Sequence, residues 1–192
     1  MKLNKLELRR QVFHALLGVV IVLGVLYDIW TVKRLLLIFI VGVIVSSLSV
    51  KYKVPVVSWF LKLFDREKEK IPGKGAMFFV LGSLIVLALF PQGIALAAIL
   101  VMAFGDSAAT LVGIHLGKIK SVSLKTLEGF FAGTCAGFIG ALFFVDYVSA
   151  FVGSVAAMCF EVLDLRFGGR IIDDNLMVPL VAGLVMYVLT LL

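Results

Sequence analysis

The stretch GIALAAILVMAFGDSAATLVGIHLGK, Gly93–Lys118, decides how this chain is read. Its first dozen residues are apolar without interruption. A helix rises 1.5 Å per residue, so spanning a bilayer takes about 20 such residues. Asp106 then stands inside the apolar run, where a charge costs about 2.5–3.5 kcal/mol on insertion scales. Such a residue faces a cavity, a metal or a partner, and function is favoured over a structural pairing with a lysine. If the helix breaks at Gly105, Asp106 lies nearer the surface and the cost falls. Gly105, Ala109, Gly113 and Gly117 recur every four residues, which lines them up on one helical face. Gly129, Gly133 and Gly137 form a matching stripe further on. Small residues at this spacing predict close helix packing. They also let a phosphate approach the backbone, and both readings stand for Gly105, Gly113 and Gly129.

The rest of the chain has the same character. Of 192 residues, 62% are hydrophobic and the mean hydropathy is +1.14, well above the roughly half-apolar content of soluble domains. This predicts an all-α integral membrane protein: about seven transmembrane helices in one bundle, forming a single catalytic domain over 1–192. The expected spans are Phe13–Ile29, Leu35–Val50, Gly75–Phe90, Gly93–Leu116, Leu127–Val145, Tyr147–Leu163 and Leu176–Leu192. The first follows a basic N-terminus, as in a signal peptide, but ends at YDIW without a small-residue cleavage site, so it reads as a retained helix. Cys135 and Cys159 lie in apolar segments and suggest no disulfide framework.

Charge sets the expected orientation. With the N-terminus cytoplasmic, sixteen of the eighteen lysines and arginines fall on the cytoplasmic side, leaving only Lys33 and Arg34 outside. The net charge of +6 therefore reads as topology, with no nucleic-acid partner needed. Between the second and third spans, Ser58, Lys62, Asp65 and Glu69 share one helical face. Val56, Val57, Phe60, Leu63 and Phe64 fill the other. This pattern predicts an amphipathic helix in the cytoplasmic interface.

The remaining polar residues gather in the cytoplasmic segments. Lys118, Lys120 and Lys125 would rim the loop after Asp106, with Thr126 and Glu128 opening the next span. Phosphate chemistry needs both a metal-holding carboxylate and cations, which joins these lysines to Asp106. Glu161 and Asp164 lie one turn apart, and Asp173, Asp174 and Asn175 precede the last span. Asp174 or Asn175 could cap that helix. Four carboxylates and an amide exceed one cap, and oxygen-rich clusters suit magnesium. Glu7, Arg10 and His14 share a face of the first helix, which makes Arg10 and His14 a candidate phosphate-contacting pair. There is no Walker A motif: Gly113–Lys118 has the wrong spacing and continues with Ile119.

Taken in order, RRQVFH (Arg9–His14), PGKGA (Pro72–Ala76), GDSAATLVGIHLGK (Gly105–Lys118), KTLEG (Lys125–Gly129), Glu161 and DDNLMVP (Asp173–Pro179) resemble the CTP-dependent lipid kinases of dolichol, phytol and diacylglycerol. The resemblance implies a membrane kinase that moves the γ-phosphate of CTP to a lipid alcohol. Its site would face the cytoplasm among membrane lipids. On this reading Asp106, Glu161, Asp173 and Asp174 supply Mg²⁺ ligands, and Asp106 or Asp173 is the base. Lys125, Lys118, Lys120, Lys74, Arg10 and His14 meet phosphate, along with Ser107, Thr126, Glu128 and Asn175 of the shared motifs. The chain is close to the family's minimal core, and neither the lipid nor the oligomeric state is fixed. A second reading is a phosphatidate cytidylyltransferase, faintly echoed by FGGRIIDD (Phe167–Asp174), with Phe167 where that signature has His. A third is a small transporter or structural bundle. Transport needs polar access from both sides, and here the polar groups gather on one.

Overall fold

Helices occupy all seven expected segments in a computed structural model that describes residues 5–52, 72–119, 125–163, 166–167, 170–171 and 173–192. They are α1 (Lys5–Leu26), α2 (Val32–Lys51), α3 (Lys74–Leu89) and α4 (Gln92–Leu100). A π-helical turn (Val101–Asp106) then joins α4 to α5 (Ser107–Leu116). Next come α6 (Leu127–Ala141), α7 (Tyr147–Leu163) and α8 (Asp174–Leu189). The only other regular structure among the described residues is a two-residue antiparallel pairing of β1 (Arg166–Phe167) with β2 (Arg170–Ile171). The expected interfacial helix lies outside the described residues. Three helical stretches are long and apolar enough to cross a membrane: Lys5–Leu26, Val32–Ser49 and Gln92–Leu116. The helices α3, α6, α7 and α8 are shorter, at 15 to 17 residues.

The Gln92–Leu116 stretch is the axis of the bundle. Every residue from Ile94 to Ala103 is buried, so α4 is enclosed on all sides. Its alanines explain this. Ala95, Ala97, Ala98 and Ala103 are fully buried and project too little to keep neighbours away. In lipid, helices associate through such close packing, because a lipid tail is as apolar as leucine. At the other extreme α2 is a peripheral helix. Leu36, Leu37, Ile40, Val41, Ile44 and Leu48 are all exposed. An outer surface of this composition is that of an integral membrane protein.

The glycine stripes lock α5 to α6. A Cβ on Gly129 would sit 2.6 Å from the Ala109 carbonyl oxygen, and one on Gly133 would sit 2.9 Å from both Ala109 Cβ and the Gly105 carbonyl. These helices therefore meet backbone to backbone. Helix ends are set by local chemistry. Thr126 caps α6 by accepting from Gly129 N–H. Gly73, with φ 70°, takes the left-handed turn that starts α3. The cap of α8 is Asp173, whose carboxylate accepts from Asn175 N–H, in place of the expected Asp174 or Asn175.

Candidate active site

Asp106 owes its position to the π turn. The axial helix does not break at Gly105. Its ladder widens over Val101–Asp106 and then tightens, with Ser107 N–H donating to the Phe104 carbonyl. A π turn inserts a residue into the helix, rotates the segment beyond it, and is frequent at functional sites. Neighbours hold it from two sides. On α6, Gly133 faces Gly105, and Gly137 lies against Val101. On α1, Gly18 packs against Ala103, and the Gln11 carbonyl accepts from Ser107 Oγ at 3.1 Å. Between those two contacts His14 turns inward. Its Nε2 lies 3.5 Å from Asp106 Oδ2, and its ring meets Phe79 edge-on at 4.6 Å.

Around this turn the ends of four other helices bring in charge. Lys125, just before α6, reaches into the last turns of α7. Its Nζ donates to the Glu161 carbonyl at 2.8 Å and lies 3.3 Å from Glu161 Oε1. Carbonyls in the last turn of a helix lack intrahelical donors, so a cation is well placed there. The same ammonium donates to Asp174 Oδ2 at 2.9 Å. Burial pulls the Lys125 pKa down, but Glu161 and Asp174 outweigh burial and hold it above the ordinary lysine value. Asp173 divides its two oxygens. Oδ1 accepts from Asn175 Nδ2 at 2.9 Å, and Oδ2 faces Lys74 Nζ at 3.2 Å. Lys74 also lies over the Phe78 ring. The charge of Asp106 reaches both Glu161 and Lys125, and that of Asp173 reaches His14. Asp106, His14, Lys74, Lys125, Glu161, Asp173 and Asp174 thus form one polar cluster drawn from widely separated stretches of chain.

Other expected site residues have different surroundings. Arg10 holds Glu7 through 2.8 and 2.9 Å contacts. His14, one turn further along α1, faces Asp106, and the charge of Arg10 reaches the imidazole. Glu128 Oε1 accepts from the backbone N–H groups of Lys118 at 3.0 Å and Ile119 at 3.4 Å, closing the loop after α5. The Lys118 side chain is exposed. Thr126 and Ser107 are spent on the cap and on α1. A Cβ on Gly105, Gly113 or Gly129 would meet Gly133 and Met158, Thr126, and Ala109 respectively, so close packing calls for a small residue at each. Lys120 and Asp164 lie outside the described residues. Among the described residues, no three histidine, cysteine, aspartate or glutamate side chains converge as a ready-made metal site.

Four contributors carry no chemical signal in sequence. Phe79 and Met102 flank His14, while Gly82 and Pro179 seat α8. Pro179 lacks an N–H, so the Asn175 carbonyl four residues earlier loses its intrahelical donor. That carbonyl presses on α3 where Gly82 has no Cβ. A proline four residues after a polar helix start is the one clue that could have flagged this.

No family model matches the chain, and no solved structure does. A CTP-dependent diacylglycerol kinase of Schizosaccharomyces pombe is 29% identical over 147 residues, covering 65% of this chain and 64% of that kinase. An uncharacterized protein of Rickettsia prowazekii is 30% identical over 110 residues, covering 55% of this chain and 53% of its own length. Both matches span less than two thirds of the relative. The chain is thus distantly related to a lipid kinase. An uncharacterized protein of Methanocaldococcus jannaschii is 35% identical over 182 residues, covering 93% of this chain and 92% of that protein. With nearly the full length of both aligned at that identity, this chain belongs to the same family as the Methanocaldococcus jannaschii protein.

Proposed function

We propose that the chain is a membrane kinase that transfers the γ-phosphate of CTP to the hydroxyl of a lipid alcohol. The observation that carries this reading is the similarity to the diacylglycerol kinase, whose name supplies both the nucleotide and the substrate class. The polar cluster supports it. Phosphoryl transfer asks the protein mainly for positioning and charge neutralisation, which a mixed set of carboxylates and lysines can provide. The seven helical segments, with α4, the π turn and α5 counted as one, serve as seven spans in a single domain, with the cluster toward the cytoplasm, where nucleotide is found. The sixteen-to-two division of lysine and arginine supports that orientation.

The residues present fit magnesium, which typically takes one or two carboxylates together with substrate phosphates. Two observations support the fit. Glu161 Oε2 is buried without a hydrogen-bond partner, and no lysine or arginine pairs with Asp106 among the described residues. Asp106 and Glu161 would hold the ion, with Asp173 and Asp174 near the triphosphate. When bound, magnesium would neutralise charge on the phosphates. Lys125 and Lys74 already lie beside carboxylates and would exchange part of that pairing for phosphate oxygens. The acceptor's tail would lie between helices, so that only its hydroxyl enters the cluster. Asp106 is the first candidate and Asp173 the second to accept the hydroxyl proton as the oxygen attacks the γ-phosphorus and CDP leaves.

The test uses purified protein, CTP labelled at the α- or γ-phosphate, and a panel of polyprenols, isoprenoid alcohols and diacylglycerol. The γ-label should appear in lipid and the α-label in CDP. Pyrophosphate release with α-label in lipid would establish a cytidylyltransferase. Solute uptake into vesicles without nucleotide would establish a transporter.

A further inference from the structure

We infer that His14 is a positioning residue for Asp106 rather than a contact to phosphate. The inference rests on the reading of Asp106 as a group of the reaction. The helix α1 runs along the π turn and touches it at three successive levels. The Gln11 carbonyl accepts from Ser107, His14 faces Met102 and Asp106, and Gly18 packs on Ala103. His14 occupies the middle level, with its side chain only 15% exposed. Met102, inside the π turn, lies beside the ring. Nε2 makes no hydrogen bond and faces Asp106 Oδ2 at 3.5 Å. Phe79 closes on the ring from α3.

An imidazole that binds phosphate must offer it an N–H edge, and in this fold the Nε2 edge of His14 faces Asp106. Bracing Asp106 is the task this geometry suits. Nε2 faces one carboxylate oxygen of Asp106 and leaves the other for the acceptor hydroxyl or a cation. A group of this kind fixes the orientation of the carboxylate that does the chemistry. It contributes without touching the substrate.

The test separates positioning from phosphate binding. In H14N the shorter side chain carries no group as far as Asp106. In H14Q a polar atom is restored near the Nε2 position. H14N should lower kcat about 10- to 100-fold, the scale for partners that orient a site's ligands. The KM for CTP should stay within about twofold, and H14Q should recover much of the loss. A rise in KM for CTP at unchanged kcat would overturn the inference in favour of phosphate contact. A second measurement does not depend on activity. The chain has two histidines, so ¹⁵N-histidine spectra in detergent can be assigned with H115Q. D106N should move the His14 Nε2 resonance and leave His115 in place. An unmoved His14 resonance overturns the inference whatever the activity. If it moves while the wild type phosphorylates no alcohol offered, the braced pair is real and the proposed reaction is what has failed.

Discussion

Replacing Lys125 with methionine removes the ammonium and keeps most of the side-chain length. In the wild type that ammonium lies 3.3 Å from Glu161 Oε1 and 2.9 Å from Asp174 Oδ2. Without it, Glu161 is left 5% exposed, with the charges of Asp106 and Asp174 nearby. Removing one partner of a buried pair costs about 3–5 kcal/mol, because the other charge stays buried and uncompensated. Asp174 is 35% exposed, so water satisfies it and its share is under about 1 kcal/mol. Glu161 can lower its own cost by taking a proton. The expected loss is therefore near the bottom of the range, about 3 kcal/mol, or about 6–12 °C in Tm for a chain of this size. Thermal unfolding in detergent, followed by tryptophan fluorescence, measures it. The double variant K125M/E161Q deletes the orphaned charge and should regain most of the loss. If K125M melts within about 1 °C of wild type, or the double variant melts no later than K125M, the ion cluster does not hold α6, α7 and α8 together.

The same lysine predicts a pH dependence. Its folded pKa is raised, so its stabilisation is complete below the ordinary value of 10.5 and is lost as pH rises through the folded value. Melting curves above about pH 10.5 should fall more steeply for wild type than for K125M, and parallel curves would refute this. Asp106→Asn should cut turnover by at least ~10²-fold while the melting temperature holds or rises, since it removes a like charge that reaches the buried Glu161. Early melting with full turnover in the surviving fraction would make Asp106 structural. Gly129→Ala would place a Cβ 2.6 Å from the Ala109 carbonyl and should cost about 1–3 kcal/mol by overpacking, whereas Gly75→Ala meets nothing within 4 Å and should stay within about 0.5 kcal/mol. Equal melting temperatures for the two would refute backbone-to-backbone packing of α5 on α6. A cysteine at the exposed position 118 should resist membrane-impermeant labelling in closed cells, and labelling from outside would reverse the proposed orientation.

The positions of the helices could be read from the chain because hydropathy and helical periodicity are local. Any segment of apolar residues without helix breakers must satisfy its own backbone in lipid, wherever its neighbours lie. The four-residue stripe from Gly105 to Gly117 and its partner on α6 were legible for the same reason. Each is a property of one helix, and packing the two smooth faces together is the direct outcome. Proximity of Asp106 to the acidic and basic motifs could be suspected, but its actual neighbours could not. Lys125 meets Asp174 across 49 positions of sequence, Lys74 meets Asp173, and His14 meets Asp106. Such pairs depend on which helix ends arrive at the same side of the bundle, and no local pattern encodes that. The π turn is similar. Val101–Phe104 reads as ordinary apolar helix and Gly105 as a point of possible breakage, and in the fold the stretch runs between Gly18 on one side and Gly133 and Gly137 on the other. Tertiary structure also divided the candidate cations. It set Lys74 and Lys125 among carboxylates, whereas Arg10 meets Glu7 three residues away within α1. A charged side chain reaches several ångströms in any direction, so its partner is chosen by what the packed helices bring within that reach.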